Sequence, residues 1–185
     1  MHEILIALAK AAILVALNQP ENFDLPKALE TYHELKESGA AFVTLYTKEN
    51  GALRGCIGSL QAYQPLYKDI ISNAQAAALR DPRFNPLTLE ELDHITVEVS
   101  ILSEPQTLHY SNIDDLKKKI TPLKDGVILT LNKQKATYLP QVWEALPTFD
   151  DFFASLCQKA GLSRDCLLQH PNISTYQVRD YKERS

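Results

Sequence analysis

The spacing of apolar residues changes along the chain, which predicts a mixture of helices and strands. Apolar residues recur at helical spacing from Ile4 to Val15 and again from Pro65 to Leu79, so each segment is predicted to form an amphipathic helix. The segments Ile95–Ile101 and Ile173–Tyr181 alternate apolar with polar residues, which is typical of half-buried strands. Because no regular βαβ rhythm is present, the pattern favours an α+β fold in which helices flank an antiparallel β-sheet.

Capping and turn residues predict further elements. A weaker helical pattern spans Pro26–Lys36 after a capping Asp24. Ser111 and Thr148 each precede an apolar pattern of helical spacing, so each is predicted to cap a helix. A hairpin is expected between residues 127 and 139, where two apolar runs flank a polar turn.

The clearest local signal is another hairpin, centred on Asn50–Gly51. Apolar runs lie on both sides of this dipeptide, at residues 41–46 and 53–60. Asn-Gly favours a two-residue type I′ turn, because both residues tolerate a positive φ. Such a turn would place Leu45 opposite Cys56 in the two strands.

Composition restricts the class of protein and its partners. The chain has 185 residues, of which 45% are hydrophobic and 23% are charged, and this predicts one globular domain over residues 1–185. A formal net charge of −4 argues against binding to nucleic acid, which requires a clustered basic face. The apolar stretch Ile4–Leu17 contains Lys10 and is too short to span a bilayer, so no membrane contact is expected.

Cysteine usage points to the cytoplasm. Cys56, Cys157 and Cys166 stand at unrelated spacings and form no C-x-x-C pair, which predicts neither a disulfide framework nor a metal cluster. All three are predicted to be reduced thiols, with Cys157 and Cys166 structural or incidental. Sequence fingerprints of phosphate-binding loops, zinc proteases and serine hydrolases are missing, so we expect neither a metal nor a cofactor.

The hexapeptide Leu53–Gly58, which reads L-R-G-C-I-G, has the composition of a functional site. Strand alternation places Arg54 and Cys56 on one face, where a guanidinium would lower the pKa of the thiol. Gly55 and Gly58 remove Cβ atoms, which weakens a strand unless another backbone or a ligand approaches closely. The alternative is a small buried cysteine in a bulged strand.

Two further segments have both a functional and a structural interpretation. The loop Asp81–Phe84 presents an arginine that would bind an anion, or Asp81 and Arg83 form an internal clasp that holds the loop. The segment Ala136–Trp143 offers an aromatic wall for a pocket, although core packing is favoured there. A nucleophilic cysteine also needs a base, and none is adjacent in sequence. The residues that folding would have to bring near Cys56 are His94, His109 and Glu98.

Several of these segments together resemble the AMMECR domain family, whose prokaryotic members are called AmmeMemoRadiSam system protein A. The resemblance rests on the hexapeptide, on Asp81–Phe84, on Glu98–Ser100 and on residues 136–162, and it runs from about Phe42 to Leu162. It implies an α+β fold with a larger and a smaller lobe around an antiparallel sheet. It also implies genomic association with a Memo-like protein and a radical S-adenosylmethionine enzyme.

Two functions remain open on the sequence. In the favoured one, Gly55, Gly58, Asp81, Arg83 and Phe84 belong to a module that binds a protein partner or an unknown small ligand. In the alternative, the protein is an enzyme or enzyme component in which Cys56 is a nucleophile or covalent carrier and Arg54 stabilises its thiolate. In either case Arg54 and Arg83 are predicted to be at least partly solvated.

Overall fold

A computed structural model describes residues 1–183 of the chain. Its helices are α1 (His2–Ala16), α2 (Leu25–Thr31), α3 (Leu66–Leu79), α4 (Ile113–Lys119), α5 (Val142–Ala145) and α6 (Phe149–Lys159). Its strands are β1 (Ala40–Thr47), β2 (Leu53–Gly58), β3 (Ile95–Leu102), β4 (Gln106–Leu108), β5 (Asp125–Leu131), β6 (Gln134–Tyr138) and β7 (Asn172–Lys182). The chain forms two compact units, residues 1–102 with the segment from Arg179, and Ser103–Val178.

The predicted α+β class with an antiparallel sheet is confirmed. In the first and larger unit, β1 pairs with β2 on one side and with β3 on the other, both antiparallel. In the second unit, β5 pairs antiparallel with β6 and β7, and β4 with β7. Helices flank the strands in both units. That residues 1–185 form a single domain stays a prediction.

One face of the β2–β1–β3 sheet is apolar and packs against α1 and α3. Ala41, Val43 and Leu45 alternate along β1 on this face and are fully buried. Ile13 of α1 and Ile70 of α3 lie in the same core cluster. Each of the larger aliphatic side chains contributes about 1.5–3 kcal/mol by leaving water. No helix within residues 1–183 has both the length and the apolar character that crossing a membrane requires.

The opposite face of this sheet is polar. Since side chains alternate along a strand, Thr44 of β1 and Glu98 and Ser100 of β3 point away from the helices. These three residues are nevertheless buried, with exposed fractions of 6%, 6% and 5%. A buried polar face needs hydrogen-bond or charge partners, and those partners define the site described below.

The turn of the first hairpin differs from the prediction. The N–H of Thr47 donates to the carbonyl of Ala52 at 2.9 Å, which leaves a four-residue loop in place of a two-residue turn. Gly51 has a φ of 68°, but Asn50 is not among the residues with positive φ, as a type I′ turn would require. The Asn50 side chain instead accepts hydrogen bonds from Thr47 Oγ1 and Ala52 N, which closes the loop locally.

The strand register differs as well. Arg54 is the extra residue of a β-bulge in β2, because its two neighbours pair with consecutive residues of β1. The four-residue loop moves the pairing by two residues from the predicted register and the bulge moves it back by one, so Thr44, and not the predicted Leu45, lies opposite Cys56. A bulge shifts all pairing beyond it by one residue, which sequence alternation alone does not reveal.

The predicted helix at Pro26–Lys36 is divided. Helix α2 ends at Thr31, and a separate 3₁₀ helix covers His33–Lys36, because Tyr32 adopts φ −120° and ψ 86° outside the helical region. The predicted cap is confirmed, since the Asp24 carboxylate accepts the N–H of Lys27 at 3.0 Å.

The second unit has an aromatic core. Trp143 is 1% exposed and stacks on Phe152 with ring centroids 3.6 Å apart. Its indole N–H donates to the carbonyl of Asp125 at 3.1 Å, which satisfies its buried polar atom. Core packing is therefore the role of Trp143, as favoured from the sequence.

The cysteine prediction is wrong for two of the three residues. Cys157 and Cys166 form a disulfide of 2.07 Å, while Cys56 carries a free thiol. Gly161, with a φ of 77°, turns the chain after α6, and the 3₁₀ helix that begins at Cys166 folds back on α6. Both cysteines are fully buried there, with Cα atoms 5.8 Å apart. Their nine-residue separation did not reveal this proximity.

Candidate functional site

The loop after α3 binds the backbone N–H and the backbone C=O of Cys56. Strand β2 lies at the edge of the β2–β1–β3 sheet, so its outward N–H and C=O groups need partners other than a strand. Asp81 Oδ2 accepts the N–H of Cys56 at 2.8 Å, and Arg83 Nη2 donates to the carbonyl of Cys56 at 3.3 Å. The two side chains thus take the place of a neighbouring strand and fix the hexapeptide against the loop.

Asp81 and Arg83 also form the internal clasp left open by the sequence. The carboxylate of Asp81 is buried and accepts from Arg83 Nη2 at 2.7 Å and from Arg83 Nε at 3.0 Å. The hydrogen bonds from Arg83 hold the pKa of Asp81 well below its usual range, against the opposing effect of burial. Half of the Arg83 side chain, 53%, stays exposed, so its partly solvated state is as predicted.

Arg54 is largely buried, whereas the sequence predicted a side chain that is at least partly solvated. Only 12% of it is exposed, and it binds Glu91 through two hydrogen bonds of 2.8 and 2.9 Å. Its Nη2 also donates to the carbonyl of Asn85 at 3.1 Å. This bidentate pair ties the bulge of β2 to the turn around Glu91. Arg54 therefore has a structural role in this geometry.

Phe84 lies between the two arginines. The Arg54 guanidinium carbon is 5.8 Å from the centroid of the Phe84 ring, and that of Arg83 is 5.5 Å from it. Both distances are within the range of cation–π attraction. Phe84 is half-buried, so part of its ring remains open to a ligand or partner beside the exposed part of Arg83.

The hydrogen-bond partner of the Cys56 sulfur is a hydroxyl group, and none of the histidines or carboxylates described within residues 1–183 hydrogen-bonds to it. Thr44 Oγ1, directly opposite on β1, donates to Sγ at 3.4 Å. Of the bases considered from the sequence, His94 and Glu98 belong to the same unit, and neither hydrogen-bonds to the sulfur. The cation beside Cys56 is Arg83, whose pKa is raised chiefly by Asp81 and further by the cysteine. Arg54, for which the thiolate-stabilising role was predicted, is paired with Glu91, and that role stays a prediction.

The two glycines of the hexapeptide make room for the protein itself. A Cβ on Gly55 would overlap the backbone carbonyl of Ala77, so Gly55 lets α3 approach β2 closely. A Cβ on Gly58 would overlap the ring of Phe42, its partner across β1. The space that a Cβ would take is filled by the protein at both positions, so both glycines have a packing role, and their predicted part in binding stays a prediction.

Glu91 gives the site a measurable pH dependence. The hydrogen bonds from Arg54 lower the pKa of Glu91 from 4.5 to about 2. A depressed carboxyl pKa adds stability that is fully present above about pH 4.5 and is lost as the pH falls towards about 2. The Glu91→Gln variant should therefore lose less unfolding free energy than wild type over this interval, measured by urea denaturation at several pH values. Glu90→Gln, exposed on the same turn, is the control, and equal acid sensitivity of Glu91→Gln and wild type would contradict the prediction.

A row of polar side chains continues from Cys56 across the sheet and was not singled out as a set by sequence analysis. Thr44 lies opposite Cys56 on one side and opposite Glu98 on the other. Lys182 Nζ lies 3.1 Å from Glu98 Oε2. The sequence does show polar residues at alternate positions of β1 and β3. Their alignment with Cys56, however, depends on the register between β1 and β2, which the bulge changes.

The amino-acid sequence has relatives in several archaea. Residues 6–181 match the AMMECR1 family. The chain is 38% identical over 162 residues to Protein MJ0810 of Methanocaldococcus jannaschii, covering 84% of this chain and 79% of that one. It is also 38% identical over 180 residues to a protein of Methanothermobacter thermautotrophicus, covering 95% of this chain and 89% of that one.

The fold has a counterpart in a crystal structure. This structure is described as that of the uncharacterized protein PH0010 from Pyrococcus horikoshii. The TM-score is 0.79 at 34% sequence identity, and the match covers 98% of this chain and 90% of that chain. The arrangement of helices and strands is therefore shared with a protein of related sequence.

Proposed function

This chain belongs to the AMMECR1 family, and we propose that it is a binding module whose recognition surface combines β2 with the loop Asp81–Phe84. In support, Asp81 accepts the backbone N–H of Cys56 and Arg83 donates to its backbone C=O. The surface is therefore ordered before a ligand binds. Preorganisation of this kind raises affinity because less conformational entropy is lost on binding. A protein partner or a small ligand would be recognised by the exposed part of Arg83 and the half-open ring of Phe84.

We propose a Memo-like protein and a radical S-adenosylmethionine enzyme from the same genome as the partners. The support for this choice is the family resemblance of the sequence, which implies association with both. A cytoplasmic location belongs to the same proposal, since both partners would have to share the compartment of this chain.

The observation that carries the proposal is the environment of the Cys56 sulfur. Its hydrogen-bond donor is the Thr44 hydroxyl, and neither His94 nor Glu98 hydrogen-bonds to it. A cysteine nucleophile needs a base or a strongly lowered pKa, whereas recognition needs a rigid, charged and partly apolar surface. The arrangement of Arg83 and Phe84 meets the second requirement.

The experiment is a calorimetric titration of the full chain with each of the two purified partners. Phe84→Ala should weaken binding of the true partner by about tenfold or more, because aromatic and arginine residues dominate recognition surfaces. Leu168→Ala is the matched control, since Leu168 is 74% exposed and lies in the other unit. Equal affinities of wild type and Phe84→Ala would argue that this surface is not the one that binds.

The second function is covalent chemistry at Cys56, and the nearness of Arg83 favours it. A guanidinium beside a thiol stabilises the thiolate, whereas partial burial opposes it. On the binding-module proposal, iodoacetamide should label folded Cys56 no faster than an unstructured cysteine peptide at neutral pH. The measurement is peptide mass spectrometry across a pH series.

Arg83→Ala is the informative variant for that labelling experiment. Suppose that Cys56 of wild type is labelled much faster than the peptide, and that Arg83→Ala lowers its labelling rate to that of the peptide. Arg83 then activates the thiolate, and the result supports covalent chemistry at Cys56. Arg54→Ala serves as the comparison, since Glu91 already pairs with that guanidinium.

A further inference from the structure

On the polar face of the first unit, one oxygen of a buried carboxylate has no hydrogen-bond donor among the described residues. Glu98 is 6% exposed, and its Oε2 atom is buried without a hydrogen bond from any residue within 1–183. Lys182 Nζ approaches this atom to 3.1 Å, so the charges are paired, and this pairing with Glu98 raises the pKa of Lys182. A buried charged oxygen without a donor is costly, which makes it a strong acceptor for any donor that reaches it.

Lys182 is a partner that is easily displaced. Its side chain is 71% exposed, near the end of β7, so its ammonium regains full hydration when another cation takes its place at Glu98. Glu98, by contrast, extends from the middle of β3 and is held in the sheet. The pair therefore joins a buried acceptor to an exposed cation.

The aromatic side chain of Tyr46 lies near Glu98, whose charge contributes to the raised pKa of its phenol. Phe42 and Tyr46 lie two residues to either side of Thr44 on β1, which puts all three on the face that carries Glu98. Both side chains are partly exposed, and the ring of Phe42 lies over Gly58. A carboxylate beside aromatic faces is a favourable environment for an ammonium group, which gains both a charge-assisted hydrogen bond and cation–π attraction.

We propose that this face binds a small ligand through a protonated primary amine, which Glu98 accepts in place of Lys182. The proposal rests on the binding function above and identifies the class of small ligand that it would take. The strand spacing places Glu98 about 10 Å from Cys56, two strands away, so a ligand anchored at Glu98 would extend over Thr44 towards the hexapeptide.

The charges of the face favour a cation over an anion. Glu98 and Asp180 contribute two carboxylates, and Asp180 is oriented by a 2.6 Å hydrogen bond from Ser100. Lys182 is the ammonium that opposes them. Burial raises the pKa of Tyr46, with a further contribution from Glu98, so this phenol is uncharged and able to donate a hydrogen bond at neutral pH.

The test uses n-butylammonium as the probe, with butyrate and n-butanol as the anionic and neutral comparisons. Each is titrated to millimolar concentration into the ¹⁵N-labelled full chain, and amide shifts are followed by NMR. Butylammonium should shift the amides of Thr44, Tyr46 and Glu98, and the two comparisons should not. Stronger binding of butyrate would overturn the proposal in favour of an anion site at Lys182.

Two variants separate a ligand site from a structural ion pair. Glu98→Gln should weaken butylammonium binding by about tenfold or more, because a charge-assisted hydrogen bond is lost, while Glu104→Gln, an exposed control, should not. Lys182→Ala should bind the probe several-fold more tightly, since the competing cation is gone. This variant still tests the proposal if Glu98→Gln does not fold. Unchanged affinity in Lys182→Ala, or no shifts in either protein, overturns the amine site. The partner titration with Phe84→Ala is unaffected by that result, so the two proposals fail separately.

Discussion

Gly55→Ala should destabilise the first unit by about 3 kcal/mol, the upper part of the range for overpacked cores. The new Cβ would meet the carbonyl oxygen of Ala77, which belongs to the backbone of α3 and cannot rotate away. Either β2 or α3 must move, and both are tied to the core. The measurement is the free energy of unfolding from urea or guanidinium denaturation.

Gly58→Ala is the matched comparison in the same strand. Its Cβ would meet the ring of Phe42, a half-exposed side chain that is able to change its rotamer. The cost should therefore be smaller than that of Gly55→Ala. If Gly55→Ala were as stable as wild type within about half a kcal/mol, the close approach of α3 to the hexapeptide strand would be wrong.

Asp69→Ala should cost about 3 kcal/mol or more, because it leaves several buried donors without an acceptor at about 1–3 kcal/mol each. Asp69 of α3 is fully buried and accepts four hydrogen bonds. They come from Ala41 N at 2.9 Å, Asn73 Nδ2 at 3.0 Å, Ser59 Oγ at 2.7 Å and Gln64 Nε2 at 3.1 Å. The carboxylate thereby joins α3 to β1 and to the residue that follows the hexapeptide.

Thermal and denaturant unfolding of Asp69→Ala measure this cost. Asp93→Ala is the control, since Asp93 is an exposed aspartate in the same unit and its loss should change stability by about half a kcal/mol or less. A small effect at Asp69, equal to that at Asp93, would mean that water or rearranged side chains satisfy the donors and that the network is not a structural joint.

Much of the fold follows from local sequence signals. The caps at Asp24 and Thr148 act on backbone N–H groups three residues away, so residue type and spacing were enough to predict them. Likewise, the alternation of Ile95–Ile101 follows from one buried and one polar face of a strand. These interactions lie within a single helix or strand, where residues that are close in the sequence are also close in space.

The site was only partly predictable because its contacts join distant parts of the chain. The hexapeptide and the Asp81–Phe84 loop were correctly paired as neighbours, as the 2.8 Å bond from Cys56 N to Asp81 confirms. The pairing of Arg54 with Glu91, 37 residues later, had no local signal. The bulge at Arg54 then changed the register, so the alignment of Thr44 with both Cys56 and Glu98 could not be derived from an ideal hairpin.

The central claim is that the surface around Cys56 recognises a partner without using the thiol chemically, and the Cys56→Ala variant tests it most directly. Calorimetric titration with the Memo-like and radical S-adenosylmethionine proteins should give Cys56→Ala an affinity within about threefold of wild type, since it removes only a weak hydrogen bond from Thr44. Phe84→Ala should lose about tenfold or more in the same titration. A Cys56→Ala variant that loses binding, while Phe84→Ala keeps it, would contradict the claim and make the thiol the functional group.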